Sequence, residues 1–465
     1  MNDDKLSTNQ KALHINLDAH KYGTFAEIGA GQETARWFFR VGGAASTVAK
    51  TISAYDMTVS DAIYGSTERY VSRQRLQAML EHEWKLLLER LDQKRGATNT
   101  FFVFANTVAT RRYKSLEPGN GWLGVRFQTQ PHEPSSEIII HVRMLDKEAV
   151  RAQEALGIVG VNLIYGAFHQ HGEPTSLIGS LLDGLDEGRI EVDMIKFSGP
   201  RFAGLDNRLM ALQLVQQWLT EAALFTADGE TIVPGELLYK KPVLVERGSF
   251  RPLTNPMLDM LERAREQFVK DPALGGEEPV TLMEMTLRQL QVGNAIDHRD
   301  FLDRVDTLSA LGWPVLISNF LRYHRLVIYL SHHTHKPIGL PLGIVRLRDV
   351  LDERYYTDLP GGLLESLGQL FKNGAKLYVY PSLDRQTGNL STVENFEVTP
   401  NLRHLYAHLV ENRFIENIRD YNRDCLSVYS GDVLEKIKAG DVSWEEHVPP
   451  PIACVIKDKK LFGCR

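Results

Sequence analysis

The sequence predicts an α/β protein of two lobes, and three observations carry that expectation. Strand-like and helix-period segments alternate from end to end, the pattern of sheets joined by helical connections. The chain has 465 residues, too many for one core at typical domain sizes of roughly 100–200 residues. Its 43% hydrophobic, 24% charged and 9% aromatic content is that of ordinary globular proteins, which excludes disordered, collagen-like and coiled-coil classes.

In chain order, TFAEI (24–28) reads as a strand, followed by Gly29 and Gly31 and a helix ETARWFFRV. Residues 74–95 carry Leu, Met and Trp on one face and charges on the other, which predicts a long amphipathic helix. Segments 100–108, 122–128 and 137–144 read as strands, EAVRAQEAL as a helix, and the apolar run VNLIYGAF as a buried strand. A helix (SLIGSLLDGL), a strand (RIEVDMIKF) and a helix (NRLMALQLVQQWLTEAAL) complete the first half. In the second half, VLVE, VTLMEMTL, PVLIS, PIGLPLG and AKLYVYPS alternate with helical patterns, so parallel strands with helical crossovers are expected there. The hydrophilic stretch 227–241 marks a boundary, giving an N-terminal α/β lobe over 1–235, a Rossmann-like lobe over 236–430 and a C-terminal extension over 431–465.

Lys plus Arg total 53 against 59 for Asp plus Glu, a net charge of −6, which argues against a sequence-independent nucleic-acid binder. The start, MNDDKLSTNQK, has no apolar signal region, and no run of about 18 apolar residues occurs, so a cytoplasmic protein without membrane contact is expected. Cys425, Cys454 and Cys464 show no close ligand spacing, in keeping with a reducing compartment. No GxSxG, GxxxxGK[ST], HExxH or EF-hand pattern is present, which removes the commonest hydrolase, NTPase, zincin and calcium readings.

The strongest local signal is GSFRPLTNPMLDMLERA (248–264), directly after the strand VLVE and running into an amphipathic helix. A strand, a glycine turn and a helix start present free N–H groups to an anion. These residues resemble the first motif of the nucleotidylyltransferases, the superfamily of phosphopantetheine and nicotinate-mononucleotide adenylyltransferases, in which G-x-F-x-P is followed by T/H-x-G-H. Gly248, Phe250, Pro252 and Thr254 match that motif, whereas Pro256 and Met257 stand where the family has Gly and its catalytic His. The resemblance implies a nucleotide held by Gly248, Ser249, Phe250 and Arg251, with Thr254 and Arg403 as catalytic candidates. Arg403 follows Thr399 in a weak echo of the family's later motif. It further implies ATP and Mg²⁺ as cofactors and adenylyl transfer to a mononucleotide or similar phosphate. A methionine thioether cannot donate to phosphate as the histidine does, so binding is better supported than catalysis. The whole chain also resembles a widespread bacterial family with YGTFAEIGAGQE-like (22–33) and RGSFRP-like (247–252) segments. Its members are labelled nicotinate-nucleotide adenylyltransferase or TonB-dependent receptor, and the α/β pattern opposes the second label.

Two further readings come from other segments. AEIGAGQE (26–33) resembles the first motif of S-adenosylmethionine-dependent methyltransferases, with Glu27 to Gly31 as the binding turn and Asp56 as the ribose acid, although Glu33 opposes an anion there. A silent scaffold is the other, with RWFF (36–39) and HEWKLLLERL (82–91) as contact faces of a homo-oligomer. His324, His332, His333 and His335 are candidates to face a phosphate. His169 and His171, and the loop residues Lys196, Arg201, Asp206, Asn207 and Arg208, are expected to follow strands, near the carboxyl end where α/β ligands sit.

Overall fold

Strand pairing builds one sheet of six strands and one of eight in a computed structural model that describes residues 5–111, 117–293, 295–385 and 387–464. The chain divides into two units, Met1–Thr220 and Glu221–Arg465. No helix among the described residues is long and apolar enough to cross a membrane.

The first unit runs α1 (Thr8–Leu17), β1 (Lys21–Ile28), α2 (Glu33–Arg40), β2 (Val48–Ile52), α3 (Met57–Tyr64), α4 (Arg73–Arg95), β3 (Thr100–Ala109), β4 (Gly119–Phe127), β5 (Ser136–Met144), α5 (Ala149–His169), α6 (Pro174–Ser180), β6 (Ile190–Ser198) and α7 (Asn207–Gln216). Side chains of Ser7, Asp56, Ser72 and Asp206 cap the amino ends of α1, α3, α4 and α7, which is why those helices begin where they do. The sheet order is β2-β1-β3-β4-β5-β6, parallel across β2, β1 and β3 and antiparallel from β3 to β6. Phe25, Phe102, Phe104, Leu123, Ile140 and Val192 of the sheet share a core with α5.

The run VNLIYGAF is part of helix α5, not the strand its composition predicts. A continuous apolar run suits a buried helix as well as a buried strand, and here the helix passes through the core. Its glycines serve packing. A Cβ on Gly157 would stand 3.0 Å from the Glu33 backbone oxygen, and one on Gly160 would stand 2.3 Å from Thr34 Oγ1, so α2 rests directly on the α5 backbone.

The second unit runs β7 (Ala222–Phe225), β8 (Thr231–Ile232), α8 (Pro234–Leu238), β9 (Val243–Arg247), α9 (Asn255–Val269), β10 (Val280–Thr286), α10 (Leu287–Leu290), the hairpin β11 (Gln291–Val292) and β12 (Ala295–Ile296), α11 (His298–Ser309), β13 (Val315–Ser318), α12 (Tyr323–His333), β14 (Ile338–Gly343) and α13 (Ile344–Val350). It continues through α14 (Gly362–Leu370), β15 (Lys376–Tyr380), the hairpin β16 (Ser382–Leu383) and β17 (Leu390–Ser391), α15 (Arg403–Glu411), β18 (Ile415–Asn417), α16 (Ser430–Ala439) and α17 (Pro450–Lys459).

The large sheet has the order β18-β15-β14-β9-β10-β13-β7-β8. The strands from β18 to β13 are parallel, and β7 and β8 add antiparallel at one edge. Counted along the chain, the parallel strands lie in the doubly wound order 3-2-1-4-5-6, reversing between β9 and β14. One face packs Val243, Val245, Leu282 and Leu340 against α12, α13, α14 and α15. On the opposite face Phe268 of α9 closes over Leu244 and Gly339, where a Cβ would stand 2.7 Å from Leu244.

The unit boundary falls at 220/221 rather than at 235/236, because β7 pairs with β13 and carries β8 with it. The polar stretch 227–241 thus lies inside the second unit, where it carries β8 and α8 and buries Leu238 in the core. Residues 431–465 also belong to that unit, tied by the Phe462 N–H to Asp303 at 2.7 Å and by Lys459 to Asp306 at 2.9 Å.

Candidate anion-binding site

Where the strand order of a doubly wound sheet reverses, the connections leave on opposite faces and a crevice opens beyond the carboxyl ends of the strands. A cavity of about 420 Å³ lies at that edge of the second unit. Its arginines come from four successive parallel strands: Arg247 ends β9, Arg288 follows β10, Arg322 follows β13 and Arg346 follows β14. Asp349 is the one carboxylate among its lining residues, beside Tyr323, Tyr355 and Tyr356.

Arg247 is held rigidly. It donates from Nε and Nη2 to the fully buried Glu284 carboxylate at 2.6 and 2.8 Å, and Ser318 Oγ donates to the same group at 2.5 Å. Burial alone would lower the Arg247 pKa, but Glu284 beside it raises it, so the guanidinium stays charged. Its plane lies 4.6 Å from the Tyr323 ring centroid. Burial pushes the Tyr323 phenol up to about 12, which leaves it a neutral donor at ordinary pH. The Arg322 guanidinium lies 4.1 Å from the Tyr355 ring centroid and donates from Nε to the Tyr355 carbonyl at 3.3 Å. Arg346 pairs with Asp349 at 3.1 Å. Among the described residues, Arg288 and Arg322 have no carboxylate at ion-pair distance. Arg322 is also the residue before α12, whose first amides no side chain caps. Arg247 and Arg346 are paired with carboxylates, whereas Arg288, Arg322 and the first amides of α12 leave donors and positive charge turned toward the cavity, as an anion site requires.

The turn after β9 is arranged differently. The Gly248 N–H donates to the Glu284 carbonyl at 3.1 Å, and the group closest to Gly248 is the Phe250 ring, 2.7 Å from where a Cβ would sit. Phe250 is fully buried, so it is a core residue rather than a ligand contact. Ser249 presents its carbonyl to Arg304 Nη1 at 3.2 Å. Arg251 and Arg304 both pair with Asp300, so the charge on Arg251 is already answered. Thr254 is buried at the start of α9, and Asn255 beside it donates to the Glu446 carbonyl at 2.8 Å. None of these residues lines the arginine cavity, nor does the exposed Arg403 at the start of α15.

The histidines are dispersed. His324 is buried against Ser366 Oγ at 3.0 Å, and burial lowers its pKa, while His332 and His333 end α12. An 11-residue helix separates those last two from the cavity by about 16 Å. His169 is the last residue of helix α5 and His171 lies two residues beyond it, so neither follows a strand. Burial, with Lys21 near by, pushes His169 down to about 4, and His171 Nδ1 meets the Ala167 carbonyl at 2.9 Å. Asn207 brackets the Phe197 backbone with two hydrogen bonds and Arg208 pairs with Asp206, so that loop is tied to its own strand and helix.

In AEIGAGQE, the Glu27 carboxylate accepts from the Thr34 and Ala35 amides at 3.1 and 3.0 Å and from Asn106 at 2.9 Å. The amino end of α2, where a ligand anion would sit, is thereby filled by the protein's own carboxylate. Asp56 caps α3 through the Val59 amide at 3.0 Å.

Arg288, Arg322, Arg346 and Asp349 do not stand out in the sequence as a motif. The signal that points to them is positional: each of four consecutive parallel strands ends in, or is followed within four residues by, an arginine.

No family model and no curated protein matches the chain. Among solved structures it is similar to the competence/damage inducible protein CihA from Agrobacterium tumefaciens, at 16% identity and a TM-score of 0.27 over 35% of this chain and 97% of that one. It is also similar to the competence-damaged protein (CinA) superfamily protein from Enterobacter cloacae, at 12% identity and a TM-score of 0.27 over 36% and 95% of the two chains. A likeness of this extent assigns no activity.

Proposed function

We propose that the chain binds a nucleotide in the arginine-lined cavity at the carboxyl edge of the second unit's sheet. The observation that supports this most is the convergence of Arg247, Arg288, Arg322 and Arg346 from four strands around the point of strand reversal, against a single lining carboxylate. Guanidinium groups match phosphate oxygens in geometry and charge, tyrosine faces suit a planar base, and about 420 Å³ is within the range of small-molecule sites.

The reaction that the resemblance attaches to this motif is adenylyl transfer from ATP with Mg²⁺. On our reading the arginines would hold the phosphates and neutralise their charge, in place of the Gly248–Thr254 turn and the missing histidine. No three His, Cys, Asp or Glu side chains are grouped for a metal among the described residues, so Mg²⁺ would arrive on the nucleotide.

Titration calorimetry of the full chain with ATP tests the proposal. Arg322→Ala removes a charge-assisted donor worth about 1.5–3 kcal/mol, so ATP affinity should fall by about 10- to 150-fold. Absence of ATP binding at millimolar concentration, or an unchanged affinity in Arg322→Ala, would refute it.

A further inference from the structure

We infer that Asp349 reads the hydroxyl groups of the ligand's ribose; the inference rests on the nucleotide reading of the same cavity. Asp349 is a puzzle for a simple anion site. Among the described residues it is the only carboxylate lining a cavity of four arginines, and a carboxylate repels phosphate at short range. Its position is favourable for a ligand only if that ligand also brings hydrogen-bond donors.

The amide and threonine acceptors of the cavity are already in use. Guanidinium groups donate and cannot accept. Gln289 Oε1 already takes the Thr286 N–H at 2.9 Å and the Thr286 hydroxyl at 3.0 Å, and Thr286 Oγ1 takes the Gln289 N–H at 3.3 Å. Their side-chain acceptors are therefore closed on each other in a capping box. Asp349 engages Arg346 Nη1 through Oδ2 at 3.1 Å. Its other oxygen has no hydrogen bond to a described residue, and its side chain is 46% exposed. Arg346 thus orients the carboxylate and offsets part of its charge, while Oδ1 stays available. The open Oδ1 can accept from a ribose hydroxyl, a carbon-borne donor that a polyphosphate does not present. The residue selects a hydroxylated phosphate ester over a bare polyphosphate.

The test is titration calorimetry of the full chain, in EDTA, with ATP, 2′,3′-dideoxy-ATP and pyrophosphate, on the wild type, Asp349→Asn and Asp349→Ala. The wild type should prefer ATP over the dideoxy analogue by about tenfold or more. Both variants should narrow that preference to about twofold and hold pyrophosphate at least as tightly as the wild type, because a repelling charge is gone. Three outcomes overturn the inference. A ribose preference that survives in both variants shows that another group reads the hydroxyls. A preference that appears only when Mg²⁺ replaces EDTA makes Asp349 a metal ligand. Pyrophosphate affinity that falls together with ATP affinity makes it only a prop for Arg346. A wild type that binds none of the three ligands fails the nucleotide reading itself, a result distinct from these.

Discussion

The Arg247–Glu284 pair offers the sharpest test of how the cavity is built. Both groups sit at the carboxyl ends of central strands, Glu284 with no exposure and the Arg247 side chain with 7%. Two guanidinium hydrogen bonds and the Ser318 hydroxyl satisfy the carboxylate. Arg247→Ala leaves that carboxylate charged and buried, with one hydroxyl as its remaining side-chain partner, and such a break costs about 3–5 kcal/mol. Glu284→Ala strands the guanidinium and costs a similar amount. The double variant removes both charges and should lose about 2 kcal/mol or more less than the sum of the singles, since neighbours in one network are strongly coupled. Urea unfolding followed by circular dichroism gives the three differences. If the single effects add to within about 0.5 kcal/mol, the pair does not act as a unit and the account of a rigidly held Arg247 is wrong.

Phe250→Ala should lower stability by about 3–5 kcal/mol as a core truncation while leaving ATP affinity unchanged in the folded fraction; a selective loss of affinity would put Phe250 back at the ligand. Burial raises the Glu27 carboxyl from 4.5 to about 7, outweighing the amides and Asn106 that favour its charge. The folded state then keeps a proton that the unfolded chain releases, so stability falls as pH rises through that window, by about 3 kcal/mol at most. Unfolding free energies at pH 5 and pH 8 should show this fall in the wild type, and Glu27→Gln should abolish it. Gly160→Val forces side-chain atoms into Thr34 and should cost about 1–3 kcal/mol or more by overpacking the contact of α2 with α5; an unchanged melting temperature would contradict the packing described.

Much of the second unit was legible along the chain. The strands VLVE, VTLMEMTL, PVLIS, PIGLPLG and AKLYVYPS lie where β9, β10, β13, β14 and β15 form, because a parallel strand buried on both faces leaves an apolar run bounded by turns. VNLIYGAF was not legible, since a short apolar run reads equally as a strand until the preceding turns, with Gly157 and Gly160 under α2, are seen to continue through it as one helix. The Gly248–Thr254 turn reads as an open anion seat because local sequence contains no sign that the Phe250 ring folds back beneath Gly248.

Composition, periodicity and capping residues by themselves determined the α/β class, most element positions and the parallel character of the second half, because each of these depends on neighbours within a few residues. Tertiary structure alone decided that β7 belongs to the second unit, that the sheet reverses between β9 and β14, and that four arginines spaced over a hundred residues meet around one cavity. Strand order is set by which faces pack best across the whole chain, and no local segment carries that information.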